Sequence, residues 1–124
     1  MNKLALLMMV LSASAWAGWK SVGEDSQGTT YADPDTIIRN GSMASMQSIF
    51  DHKAFQRMVE VGYYSHKSKI EYDCAERRFR GLHLSLHSDP MGEGKEIYAD
   101  DSVQQWEPVT ADTNAEKLWN IACR

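Results

Sequence analysis

A chain of 124 residues is enough for one domain, and its 13 basic and 17 acidic side chains leave a formal charge of −4. A mildly acidic chain is a poor match for nucleic acid, whose phosphates require a net basic surface, so no nucleic-acid partner is expected. Two cysteines in the whole sequence limit covalent cross-linking to a single bridge.

The first 17 residues, MNKLALLMMVLSASAWA, carry one lysine, an apolar run from Leu4 to Leu11 and small residues around Ala15-Trp16-Ala17. This is the layout of a secretory leader cut between Ala17 and Gly18. The apolar run is too short to cross a bilayer, which takes roughly 20 apolar residues. The residue directly after the cut is Gly18 and not a cysteine, so no lipid anchor is expected in the mature chain, and no membrane span is expected either. Removing the leader takes away one lysine and no acid, which moves the formal charge from −4 to −5. Residues 18–124 are then a mature domain in the periplasm or outside the cell. Export favours pairing Cys74 with Cys123, since oxidising compartments preserve disulfides. Free thiols or half of a zinc site are the alternatives, but there is no C-x-x-C and no histidine beside either cysteine.

Along the mature chain, GWKSVG reads as a short strand that offers Trp19 and Val22 to a core. EDSQG reads as a turn and TTYAD as a second strand. DPDT reads as a turn whose Pro34 pre-sets the backbone. Asn40-Gly41, between apolar segments, is the preferred pair for a tight hairpin. Beyond it, apolar residues occur on both faces from Met43 to Phe50, as expected of a strand central in its sheet. From Asp51 onward a loop is expected, then a strand with Val59, Val61 and Tyr63 on one side. Ile70, Tyr72 and Cys74 share a face in IEYDC, so Cys74 points with the apolar set.

Arg77 and Arg78 fall in the turn that follows. Leu82, Leu84 and Leu86 alternate with His83, Ser85 and His87, and Phe79 has the wrong parity to join the leucines. One extra residue near Gly81 would restore alignment, which predicts a β-bulge there. SDPMGEGKEIYADD supplies a Pro/Gly turn and a short strand around Ile97 and Tyr98. Thr113-x-x-Glu116 is a capping box, and Ala115, Leu118, Trp119 and Ala122 follow at helical spacing. The fold expected is therefore α+β and mostly β: an antiparallel sheet with one C-terminal helix of about ten residues, tied to the sheet by a disulfide.

Signals for chemistry are sparse. Nucleophilic catalysis needs a serine or cysteine with a positioned base. No G-x-S-x-G occurs, and nothing in the sequence places His52, His66, His83 or His87 beside a serine. His83 and His87 share a strand face about 13 Å apart, too far for two imidazoles to hold one ion, and read as solvent-facing. The acids Glu93, Glu96, Asp100 and Asp101 lack calcium-loop spacing. No catalytic residue, metal ligand or cofactor is expected. Arg77, Arg78 and Arg80, with Lys67 and Lys69 nearby, form the one concentrated basic patch and the candidate contact surface for an acidic partner. Trp19, Trp106 and Trp119 are expected to pack in the core.

Seven motifs occur in order: Trp19, YADPDTI, RNG, SHKSKIEYDC, MGEGK, WEPV and EKLWNIAC. The set resembles the surface-adhesin E-like family of small bacterial exported domains, from Trp19 to Cys123. The resemblance implies an antiparallel sheet with a C-terminal helix held by one disulfide. Its namesake is a surface lipoprotein that binds host matrix and serum proteins, whereas this chain has no lipidation cysteine after its leader. Residues 18–124 are expected to be a non-enzymatic binding domain for an unidentified protein partner. The alternatives are a structural or stress-related periplasmic accessory protein without a ligand, or a metal-dependent enzyme using His83 and His87.

Overall fold

The computed structural model describes residues 18–58 and 60–124. The leader assigned to residues 1–17, and the expectation for Val59, lie outside the described residues. Among the described residues, seven strands form one antiparallel sheet: β1 (Lys20–Glu24), β2 (Gly28–Asn40), β3 (Met43–Met58), β4 (Val61–Asp73), β5 (Arg78–His87), β6 (Glu96–Asp100) and β7 (Glu107–Pro108). β1 to β6 lie side by side in chain order, and β7 also pairs with β5. Among the described residues there is one α-helix, α1 (Asn114–Cys123), after the sheet.

Helix α1 begins where the capping box is. The Thr113 hydroxyl accepts the Glu116 N–H at 3.2 Å, and Glu116 Oε1 takes the Asp112 N–H at 3.3 Å, one residue further back than a standard box. Leu118 and Ala122 are buried against Ala32, Ala44, Met46 and Tyr72 of the sheet. Cys74, just after β4, is bonded to Cys123 at the helix end with the Cα atoms 5.5 Å apart. The Trp119 indole N–H donates to the Asp73 carbonyl at 3.0 Å, so helix and sheet are joined twice at one corner.

Directly paired residues share a face of the sheet. The row Ala32, Ser48, Ser68, Leu84, Asp100 therefore lies on the helix side, and the row Tyr31, Ile49, Lys67, Ser85, Ala99 on the opposite side. The bulge near Gly81 is present. Ile70 pairs with Gly81 and Lys69 with His83, leaving Leu82 as the extra residue that brings Phe79 and Leu84 onto one face.

Four expectations are corrected. Pro34 does not end a strand, because β2 runs through it with a register shift between Asp33 and Ile38. The unpaired stretch is satisfied locally: Thr36 Oγ1 donates to the Asp33 carbonyl at 2.6 Å and accepts the Gln47 N–H at 2.9 Å. The hairpin turn is Gly41-Ser42, one residue later than Asn40-Gly41, and Gly41 has the positive φ of 62°. The loop expected after Asp51 is strand, since β3 continues to Met58. His87 does not face solvent. It is 7% exposed, at the end of the sheet where a one-turn 3₁₀ segment, Pro90–Gly92, folds over the face opposite the helix. Met91 N–H donates to Asp51 there at 3.0 Å, and Gly92 N–H to Ser65 Oγ at 2.8 Å.

Candidate functional site

The basic patch is built around aromatic rings. Arg77, at φ 48° in the β4–β5 turn, bonds Glu116 at 2.9 Å and lies 4.6 Å from the Trp119 ring centroid. Arg78 bonds Asp73 at 2.9 Å, Arg80 bonds Glu71 at 2.8 Å, and the two guanidiniums lie 4.5 and 4.4 Å from the Trp106 ring. Each arginine thus has a carboxylate and a π-face. Trp119 packs against the core, whereas Trp106 is a half-buried platform for two cations rather than a core residue. Asp73 is buried. Backbone N–H bonds from Glu76 and Ala75, with Arg78, hold its carboxyl below the usual range, the Glu76 bond being the strongest cause.

His83 and His87 do not converge. His83 Nδ1 pairs with Asp101, while His87 Nε2 lies 2.8 Å from Ser85 Oγ. That serine–histidine contact was within reach of the sequence, since residues two apart on a strand share a face. A catalytic base also needs a group that orients its second nitrogen. His87 Nδ1 has no hydrogen-bond partner among the described residues, and Ser85 is buried. Burial and then the charge of Lys67 lower the His87 pKa, against opposing pulls from Glu96 and Glu93. Among the described residues no three metal-ligating side chains gather, and no helix is long and apolar enough to cross a membrane.

The helix face is only partly covered. A cavity of about 400 Å³ lies over Ile70, Phe79 and Leu84, with His83, Asp100 and Gln104 among the residues around it.

An exposed apolar cluster lies where β3 and β4 outrun their neighbours. β2 pairs with β3 only as far as His52, and β5 pairs with β4 only from Ser65. On the arm beyond these limits, residues 54–58 and 61–64, the ladder pairs among the described residues are Gln56–Tyr63, Arg57–Gly62 and Met58–Val61, after a register shift between Asp51 and Gln56. At its base the Lys53 N–H donates to the Gln27 carbonyl at 3.0 Å. On this arm Phe55 is 49% and Tyr64 39% exposed, their rings edge-to-face at 5.1 Å. Phe55 lies over Gly62, leaving no room for a Cβ at that position. An isolated two-stranded ribbon is marginal in water, and this one spends large apolar side chains on its surface.

The fold recurs in other proteins. A family model described as Surface-adhesin protein E matches residues 19–124. The structure of Haemophilus influenzae protein E is similar, with a TM-score of 0.68 at 14% identity over 86% of this chain and 84% of that one. Its crystal form II gives 0.69 at 14% identity, covering 86% and 87%. Protein E from non-typeable Haemophilus influenzae gives 0.63 at 13% identity, covering 89% and 76%. No curated protein is similar enough in sequence to match. With the sheet, the C-terminal helix and their disulfide in place, and a family match over nearly all the described residues, the chain belongs to the surface-adhesin protein E family.

Proposed function

We propose that the chain is an exported, non-enzymatic binding domain that engages a protein partner through the β3–β4 arm. Residues 1–17 act as a leader cut between Ala17 and Gly18, which delivers residues 18–124 to the periplasm or the outside of the cell. Family membership supports a surface-adhesin type of role. The observation that carries the reading is the placement of Phe55 and Tyr64, exposed and paired, on a ribbon that supports no other strand. Aromatic side chains presented in this way are the residues that dominate protein interfaces when a partner covers them. Arg77, Arg78 and Arg80 are the secondary contact surface, because each guanidinium already holds a carboxylate.

Affinity capture tests this. The parent protein, a Phe55→Ser/Tyr64→Ser variant and an Arg77→Gln/Arg78→Gln/Arg80→Gln variant are immobilised and exposed to envelope extracts and culture medium. A protein retained by the parent and the arginine variant but lost from the arm variant is the expected result. Loss only from the arginine variant would move the contact surface to that patch. Equal retention by all three would remove both surfaces. No specific protein on the parent would favour the accessory role without a ligand.

A further inference from the structure

A histidine pair at the root of the arm takes no part in the surfaces above. His52 is the last β3 residue paired with β2, and His66 lies on β4 opposite Phe50. His52 Nε2 and His66 Nδ1 are 3.1 Å apart. Phe50 stacks on His66 with ring centroids 5.5 Å apart and planes 21° apart, and Tyr63 meets His52 edge-on at 5.4 Å. Aromatic neighbours thus hold both imidazoles with one nitrogen of each facing the other.

Two nitrogens bound to one tetrahedral ion through bonds of 2.0–2.1 Å lie roughly 3.3 Å apart. The histidine separation is within about 0.2 Å of that value. We infer that His52 and His66 form a two-imidazole site for one divalent transition-metal ion of the zinc or copper class, with water in the remaining positions. Imidazole selects these metals over calcium and magnesium. The facing nitrogen that carries the N–H passes its proton to the other nitrogen of its own ring, so both lone pairs reach the ion and no net proton is released. Both rings are only partly buried, which leaves an ion a path from solvent.

The site stands apart from the partner-binding role, and so does its test. Zn²⁺ is titrated calorimetrically into the metal-stripped chain, disulfide intact, at neutral pH. One ion per chain is expected. Losing an outer partner of a metal ligand alone weakens binding about 10–100-fold, so His52→Gln and His66→Gln should each weaken it at least about tenfold, while His83→Gln leaves it unchanged. Electron paramagnetic resonance of the Cu²⁺-loaded protein should show coupling to two imidazole nitrogens. If His66→Gln disturbs the fold by circular dichroism, the more peripheral His52→Gln decides. No Zn²⁺ binding by the parent, or binding that survives both substitutions undiminished, overturns the assignment.

Discussion

Cutting the bridge between Cys74 and Cys123 tests how much of this small domain depends on covalent closure. The two cysteines are 49 residues apart, and the chain-entropy account assigns about 4 kcal/mol to closing a loop of that length. In a domain near a hundred residues, each kcal/mol moves the melting temperature by about 4–8 °C. A Cys74→Ser/Cys123→Ser variant should therefore melt on the order of 15–30 °C lower, an upper range because it neglects residual order in the unfolded chain. It should still fold in the cold. Leu118 and Ala122 remain buried and Trp119 still bonds the Asp73 carbonyl, so the helix keeps its non-covalent seat. Thermal unfolding by circular dichroism, with and without reductant, gives the answer, and reduced parent should match the variant. A fall below about 5 °C, or roughly 1 kcal/mol, would mean that the non-covalent contacts hold the helix and the bridge is redundant.

Three further outcomes follow from single groups. The folded-state pKa of Asp73 is depressed, so its contribution is present above the unfolded value of about 3.9 and is lost as pH falls through the folded value. The melting-temperature gap between parent and Asp73→Asn should be steady from neutral pH to about 5 and shrink below about 4; a gap that persists at the acid end would contradict this. Tyr72 is fully buried and its hydroxyl meets no partner among the described residues. Because an unsatisfied buried polar group costs about 1–3 kcal/mol, Tyr72→Phe should match or exceed the parent in chemical denaturation, and a loss above about 1 kcal/mol would show that the hydroxyl is bonded. Gly62→Ala would drive the Phe55 ring from its place. Since the arm pairs only with itself, stability should change by less than about 1 kcal/mol while partner capture falls; undiminished capture would separate Phe55 from binding.

Features encoded by neighbours in the chain were legible from the sequence. Thr113 and Glu116 mark the start of α1 because capping is settled within one turn. The parity break between Phe79 and Leu82 marks the bulge because alternation is a property of a single strand. The two cysteines needed only the compartment. What stayed hidden depends on distant chain. His87 looks solvent-facing in an alternating strand, yet the Pro90–Gly92 turn folds back over that end of the sheet. Arg78 and Arg80 look like a free basic cluster until Trp106 is placed against them from beyond β6. The arm was unreadable for another reason. Among the described residues, 54–58 have no sheet neighbour other than β4 and face water across much of their length, so no apolar alternation is required of them. The His52–His66 contact depends on which residues of β3 and β4 face one another, which alternation within either strand does not reveal.

The sulfur link also governs how the molecule responds to being pulled by its ends. Tension applied at the C-terminus enters the fold at Cys74, not at the helix, because the covalent path passes through the bridge. The 49-residue separation enclosed by that path, on the order of 170 Å of extended chain, adds no length until the sulfurs are reduced. β5, β6, β7 and α1 are thereby sheltered from stretching, and only the β1–β4 portion can lengthen under load.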